Sequence, residues 1–261
     1  MSENFGAHAI TTAIEASDGP AICAYLTAGY PTLETFPELL QSVARAADVV
    51  EVGVPFTDPM ADGLTIQRAS HVALENGVNL GWIFDLLSDE SSELSAPHLL
   101  MGYYNPFLTR GLEWLREAMA KSGTSGLIVP DLPIEESGPL ADVLSKRQMA
   151  LVHLVTPTTP PTRLKGLCDA SDGFVYAVTT TGVTGGDIDL TAEDIAYLER
   201  VGESSALPVL AGFGIRSASQ VAVLASHTDG VVVGSALINA IDRGEDPGLF
   251  IDSLRVAEVS A

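Results

Sequence analysis

Eight short apolar runs recur along the chain, and the stretches between them have helical periodicity. This alternation constrains the fold more than any other feature. The runs are AICAYLTAG (21–29), DVVEVGVP (48–55), PHLLMGYY (97–104), GLIVPD (126–131), ALVHLVT (150–156), GFVYAVT (173–179), PVLAGFG (208–214) and GVVVGS (230–235). Between them TFPELLQSVARAA (35–47), GLEWLREAMAKSG (111–123) and TAEDIAYLERVGE (191–203) space their apolar residues as amphipathic helices do. Further helices are predicted around residues 5–15 and 249–259. Strands alternating with helices form a parallel sheet covered by its own crossovers, and eight such units predict an α/β protein with a closed (β/α)8 TIM barrel plus an extra N-terminal helix. No linker-like or low-complexity stretch interrupts the array, so residues 1–261 read as a single domain.

Composition narrows the partners. The chain carries 34 acidic residues against 13 Lys plus Arg, a net charge of −21. So acidic a body repels nucleic acid and anionic membrane surfaces, both of which are bound through basic patches. An anionic substrate must then be held locally, by backbone N–H groups or a few placed side chains. No apolar run approaches the ~20 residues of a membrane span, and the N-terminal stretch lacks the basic and apolar regions of a signal peptide. Cys23 and Cys168 form neither a disulfide framework nor part of a metal cluster, which points to the cytoplasm.

In a barrel the active site forms at the C-terminal ends of the strands. There the chain places LTAGYP, GVPFTDPMADG, GYYNPF, VPDLPIEES, TTTGVTGGD, GFGIRS and GSALINA. The last two lie where barrels often hold phosphate against a helix N-terminus. Gly212 and Gly214 would let backbone amides approach an anion, and Gly234 and Ser235 open a helix whose first N–H groups are free. Ordinary tight turns, with Ser235 as an N-cap, are the alternative. Glu51 shares a strand face with Val49 and Gly53. If that face lines the barrel, burial raises its pKa toward neutrality and suits it to general acid–base work; the alternative is a structural glutamate bonded to a tyrosine or threonine. Asp62, just before the predicted second barrel helix, reads by spacing as that helix's N-cap.

Other chemistries fit poorly. None of Lys121, Lys146 and Lys165 falls at a predicted strand end, against a Schiff-base aldolase. The five histidines show no HxH or HxxxH spacing, so no metal site is expected. No P-loop, nucleophile elbow or dinucleotide fingerprint is present. Acid–base chemistry on a small phosphorylated molecule remains.

YLTAGYP, EVGVPFTDPMADGLTIQRAS, YYNPF, VPDLPIEES, GVTGG, GFGI and GSALI, in this order, resemble the tryptophan synthase α subunit family from about Ala21 to the final helix. The resemblance implies a lyase of tryptophan biosynthesis, catalysing retro-aldol cleavage of indole-3-glycerol phosphate to indole and glyceraldehyde 3-phosphate. It makes Glu51 and Asp62 the catalytic carboxylates. Glu51 would shuttle protons and Asp62 would accept the indole N–H, a role that displaces the cap reading. Tyr25, Leu100, Leu154 and Tyr176 match the indole pocket, Tyr103 a tyrosine beside the carboxylates, and Thr184 the closing threonine of a mobile loop. Gly185, Phe213, Gly214, Gly234 and Ser235 match the phosphate site. The implied partner is a β subunit in an α2β2 tetramer, with pyridoxal phosphate on that partner and no cofactor on this chain. Asp58, Pro59, VPDLP and YYNPF match regions facing it.

The chain has Thr57 where the family usually has Ser, Leu64 where it has Pro, and an acidic stretch after GVTGG. Leu64 is expected to loosen the turn beside Asp62. A barrel acting mainly as an allosteric binding partner of the β subunit, with negligible catalysis of its own, is the alternative function. Retention of both carboxylates argues for the lyase.

Overall fold

The strands are short and held wholly by their neighbours. In the computed structural model, which describes residues 5–178, 190–212 and 214–255, they are β1 (Ala21–Thr27), β2 (Val49–Gly53), β3 (His98–Met101), β4 (Gly126–Ile128), β5 (Ala150–Val152), β6 (Leu154–Val155), β7 (Val175–Val178), β8 (Val209–Gly212) and β9 (Gly230–Val233). All pairings are parallel, in the order β5-β4-β3-β2-β1-β9-β8-β7-β6. The two ends of that order, β5 and β6, are halves of one predicted strand broken at His153. The His153 N–H is taken by Ser171 Oγ at 2.9 Å, while its carbonyl still accepts from the Tyr176 N–H at 3.1 Å. The sheet therefore closes on itself as the eightfold barrel the sequence predicts.

Side chains alternate between two cores with the two-residue period of a strand. Cys23, Val49, Leu99, Ile128, Val152, Leu210 and Val232 fill the barrel interior. Ile10 and Ile14, from the helix Ala7–Glu15, join this inner cluster, so the extra N-terminal helix plugs one barrel end. Ile22, Ala24, Val50, Val52, Leu100 and Leu127 point outward against helix residues such as Phe36, Leu40, Leu87, Leu115, Tyr197 and Leu237.

The predicted helices form at Phe36–Ala46, Leu112–Ser122 and Ala192–Ser204. Each boundary has a local cause. Gly123 ends the second in the left-handed region, at φ 72°. The third begins with a capping box, in which Thr191 and Asp194 satisfy each other's backbone N–H groups. The C-terminal helix is Pro247–Arg255, and residues 256–259 of the predicted span lie outside the described residues. The third predicted strand stops early. At Tyr104 the chain turns into the short helix Tyr104–Leu108, whose first N–H bonds Asp131 Oδ1 at 2.9 Å. No described helix is long and apolar enough to cross a membrane.

Candidate active site

Glu51 sits in the middle of β2, flanked in register by Tyr25 of β1 and Leu99 of β3. It faces the barrel interior, as its parity with Val49 requires, and is 1% exposed. Among the described residues no tyrosine or threonine bonds its carboxyl. Oε2 accepts a long bond from Cys23 Sγ at 3.9 Å, and Oε1 has no partner among the described residues. Burial, with the Asp62 charge second, pushes the Glu51 carboxyl up to about 8. A buried carboxyl without strong donors is more stable neutral than ionised.

Asp62 occupies the loop after β2. The helix it was expected to cap, Leu64–Glu75, begins one residue later than that reading requires, with Gly63 at the N-cap and no side-chain capping bond. The Asp62 backbone is tied instead, through its N–H to the Pro59 carbonyl at 3.2 Å and its own carbonyl to Gln67 Nε2 at 2.8 Å. The carboxylate is left uncommitted to the helix. Partial burial pushes it up to about 6. Around pH 7 the two environments thus favour a neutral Glu51 beside an ionised Asp62, an acid and a base of the same chemical type.

Aromatic residues wall this pair. Tyr103 Oη accepts the Ala61 N–H at 2.8 Å, and its ring stacks on Phe56 with centroids 4.9 Å apart. Leu154 and Tyr176 are direct cross-strand partners on the inner face. The Tyr25 and Tyr176 rings fit because glycines lie opposite them. A Cβ on Gly53 would meet Tyr25 Oη at 2.1 Å, and one on Gly212 would meet Tyr176 Cε2 at 2.7 Å. Gly212 therefore has a second use beside the one read from sequence, leaving room for the Tyr176 ring.

Leu100 is a second correction. It is fully buried in the outer layer, between barrel and helices, and cannot line an interior pocket. Its neighbour Met101 has the inward parity and packs with the inner cluster that includes Leu154 and Tyr176. Alternation alone contained this signal, because residues 100 and 103 of one extended strand face opposite sides.

On the phosphate side, Gly214 has φ 67°, which favours glycine. Gly234 is the N-cap of the helix Ser235–Asp242, so Ser235 is its first helical residue and not its cap. The first intrahelical bond runs from the Ile238 N–H to the Gly234 carbonyl, leaving the amides of residues 235–237 without an intrahelical partner. A Cβ on Gly63 would lie 4.0 Å from Ser235 Oγ, which brings the Asp62 turn against this helix end. Thr184, Gly185 and Phe213 lie outside the described residues.

Among the described residues no group of three or more His, Cys, Asp or Glu could hold a metal. A groove of about 950 Å³, lined by His98, Lys121, Lys146 and Arg147 among others, lies at the N-terminal strand ends, away from these carboxylates.

The sequence model described as tryptophan synthase alpha chain matches residues 12–255. Relatives described as tryptophan synthase alpha chain include one from Chloroflexus aggregans, 42% identical over 225 residues covering 85% of this chain and 84% of the relative. Another, from Arabidopsis thaliana, is 39% identical over 249 residues covering 92% and 90%. A structure of Mycobacterium tuberculosis tryptophan synthase superposes with a TM-score of 0.86 at 32% identity, covering 98% of this chain and 100% of that one. The α2β2 complex of tryptophan synthase from Pyrococcus furiosus gives 0.84 at 32%, covering 91% and 98%. Closed barrel, family model and relatives matched over most of their length agree, and the chain belongs to the tryptophan synthase alpha chain family.

Proposed function

We propose that Glu51 and Asp62 are the catalytic pair with which this lyase of tryptophan biosynthesis cleaves indole-3-glycerol phosphate to indole and glyceraldehyde 3-phosphate. The observation that carries the assignment is the interior carboxyl of Glu51, buried among apolar residues with one oxygen unpartnered among the described residues. A charge there costs stability, so its retention points to chemistry. Neutral Glu51 delivers its proton to ring C3, while ionised Asp62 accepts the ring N–H bond and offsets the positive charge of the indolenine. Glu51, now a carboxylate, takes the proton of the side-chain hydroxyl. The C–C bond then breaks, its electron pair returns to the ring, the aldehyde forms and Glu51 is again neutral.

Tyr25, Met101, Leu154 and Tyr176 supply an apolar slot for the flat ring. The free amides at the Ser235 helix end, with Gly214 and Gly234, receive the phosphate without any basic side chain, which suits so acidic a chain. Phe213 and Gly185 complete this assignment by resemblance, and Thr184 is the lid residue. The chain acts as one domain, in the cytoplasm, and carries no cofactor of its own. Its partner is a β subunit bearing pyridoxal phosphate in an α2β2 assembly. Beside Asp58 and Pro59, the exposed side chains of Met60 (88%) and Leu64 (83%) form an apolar rim suited to that contact.

The test follows indole release from indole-3-glycerol phosphate with and without β subunit. Glu51→Gln and Asp62→Asn should each lower turnover by at least ~10². Wild-type-like turnover in either variant removes that residue from the mechanism. No cleavage by the wild type, even with saturating β subunit, selects the binding-only role.

A further inference from the structure

The inner face of β1 holds a polar group that the proposed reaction leaves unused. Cys23 is fully buried, lies two residues before Tyr25, and points its sulfur at the carboxyl of Glu51 on the adjacent strand. A buried free cysteine is ordinarily a small apolar filler. Two observations set this one apart. Its Sγ–H is the one hydrogen-bond donor within reach of Glu51 among the described residues, at 3.9 Å from Oε2. The other carboxyl oxygen, Oε1, is buried and has no partner among the described residues.

We propose that Cys23 is a positioning residue for Glu51, whose S–H marks Oε2 as the acceptor oxygen and so leaves the exchangeable proton on Oε1. A neutral carboxyl has one acceptor oxygen and one that bears the proton. A donor at Oε2 favours the arrangement in which the proton sits on Oε1, the oxygen that no described residue bonds and that is left to pair with the substrate. When Glu51 loses its proton to ring C3, the same S–H donates to a full negative charge and strengthens. The contact thus helps the acid release its proton. Burial keeps the thiol far above its ordinary range, so it remains an S–H donor throughout neutral pH. The contact also acts to lower the Glu51 carboxyl, against burial and the Asp62 charge, which raise it. The other titratable groups around the carboxyl are Tyr25 on β1, Tyr176 on β7 and Asp62 on the β2 loop, with Asp48 acting on the thiol. Both tyrosines are held neutral by burial. None of these groups supplies a donor to Oε2.

This inference rests on Glu51 being the proton shuttle, so the experiment includes a control for that reading. Indole formation is followed from pH 5 to 10 for the wild type, Cys23→Ala, Cys23→Ser and Glu51→Gln. The carboxyl stretch of Glu51 is titrated by infrared difference spectroscopy in the substrate-free protein, with Glu51→Gln as the blank. Cys23→Ala should lower kcat several-fold and move the alkaline limb, and the infrared titration, upward by about half a unit. Cys23→Ser keeps a donor and should restore both toward wild type. An unmoved Glu51 titration in Cys23→Ala overturns the proposal, as does equal loss of rate in both Cys23 variants with unshifted limbs, which marks a packing role. Wild-type activity in Glu51→Gln instead overturns the underlying assignment.

Discussion

Replacing Glu51 by Gln should make the protein more stable at neutral and alkaline pH while removing its activity. The magnitude follows from burial. Unfolded, this carboxyl titrates near its ordinary value of 4.5; folded, it titrates near 8. The folded state therefore holds a proton that the unfolded state releases between those values. Stability is fully present below about 4.5 and is lost progressively as pH rises toward 8. Each pH unit in that window is worth ~1.4 kcal/mol, so wild type loses about 3 kcal/mol at this one site between pH 5 and pH 7. A glutamine does not titrate and escapes the loss.

His98 works in the opposite direction. It is buried, with its pKa lowered to about 4, and so contributes stability above 6.5 that falls away in acid. That contribution is common to wild type and variant and cancels in their difference. The assay is urea unfolding at pH 5, 6, 7 and 8. The stability gap, variant minus wild type, should widen by about 3 kcal/mol from pH 5 to pH 7, whatever constant offset the buried amide introduces. A gap independent of pH would show that Glu51 is already ionised in the folded protein, which removes the basis for its acid role.

Two further substitutions probe the walls and rim of the site. Gly53→Ala puts a Cβ against Tyr25 Oη and Cζ, so close that the buried ring must shift. Overpacking should cost ~1–3 kcal/mol by thermal unfolding and raise KM for indole-3-glycerol phosphate as the ring is driven toward the substrate slot. Adding Tyr25→Leu should recover the stability, and a lone Gly53→Ala with wild-type Tm and KM would contradict this packing. Leu64 is the first residue of its helix and 83% exposed, a position where Pro is pre-organised. Leu64→Pro should raise stability by ~0.4–1 kcal/mol through the unfolded chain; a fall in Tm would show that the turn beside Asp62 needs another backbone shape.

The barrel was legible because its cause is local and repeated: each βα unit carries its own period and turn residues. Boundaries were less so. The predicted strand 97–104 stops at Met101 because Asp131, twenty-seven residues downstream, captures the Tyr104 N–H. That is a tertiary bond which no window around Tyr104 contains. The break at His153 likewise depends on Ser171. Within the site, Glu51 stood out physically, as a charge in a run of valines. Asp62 did not, since an aspartate before a helix has an ordinary use as a cap. Only the fold brings its turn against Ser235, and only the family motif singled it out beforehand. Leu100 was misplaced by one residue although alternation from Tyr103 pointed to Met101. Gly53 and Gly212 were invisible in another way. Their role is to leave room for rings on neighbouring strands, and register decides which rings those are.

The central claim is that the site works with Glu51 protonated and Asp62 ionised. The pH dependence of kcat/KM for indole formation tests it most directly, since that quantity reports the acid and base of the free enzyme. A bell is expected, with limbs near the 6 of Asp62 and the 8 of Glu51. A phosphate monoester has its second pKa near ~6 and shares the acid limb, so the alkaline limb is the decisive one. Activity falling above pH 8 in wild type, and a limb shifted downward when Asp62→Asn removes the neighbouring charge, is the predicted result. A rate that is flat or still rising from pH 7 to pH 9 would contradict it.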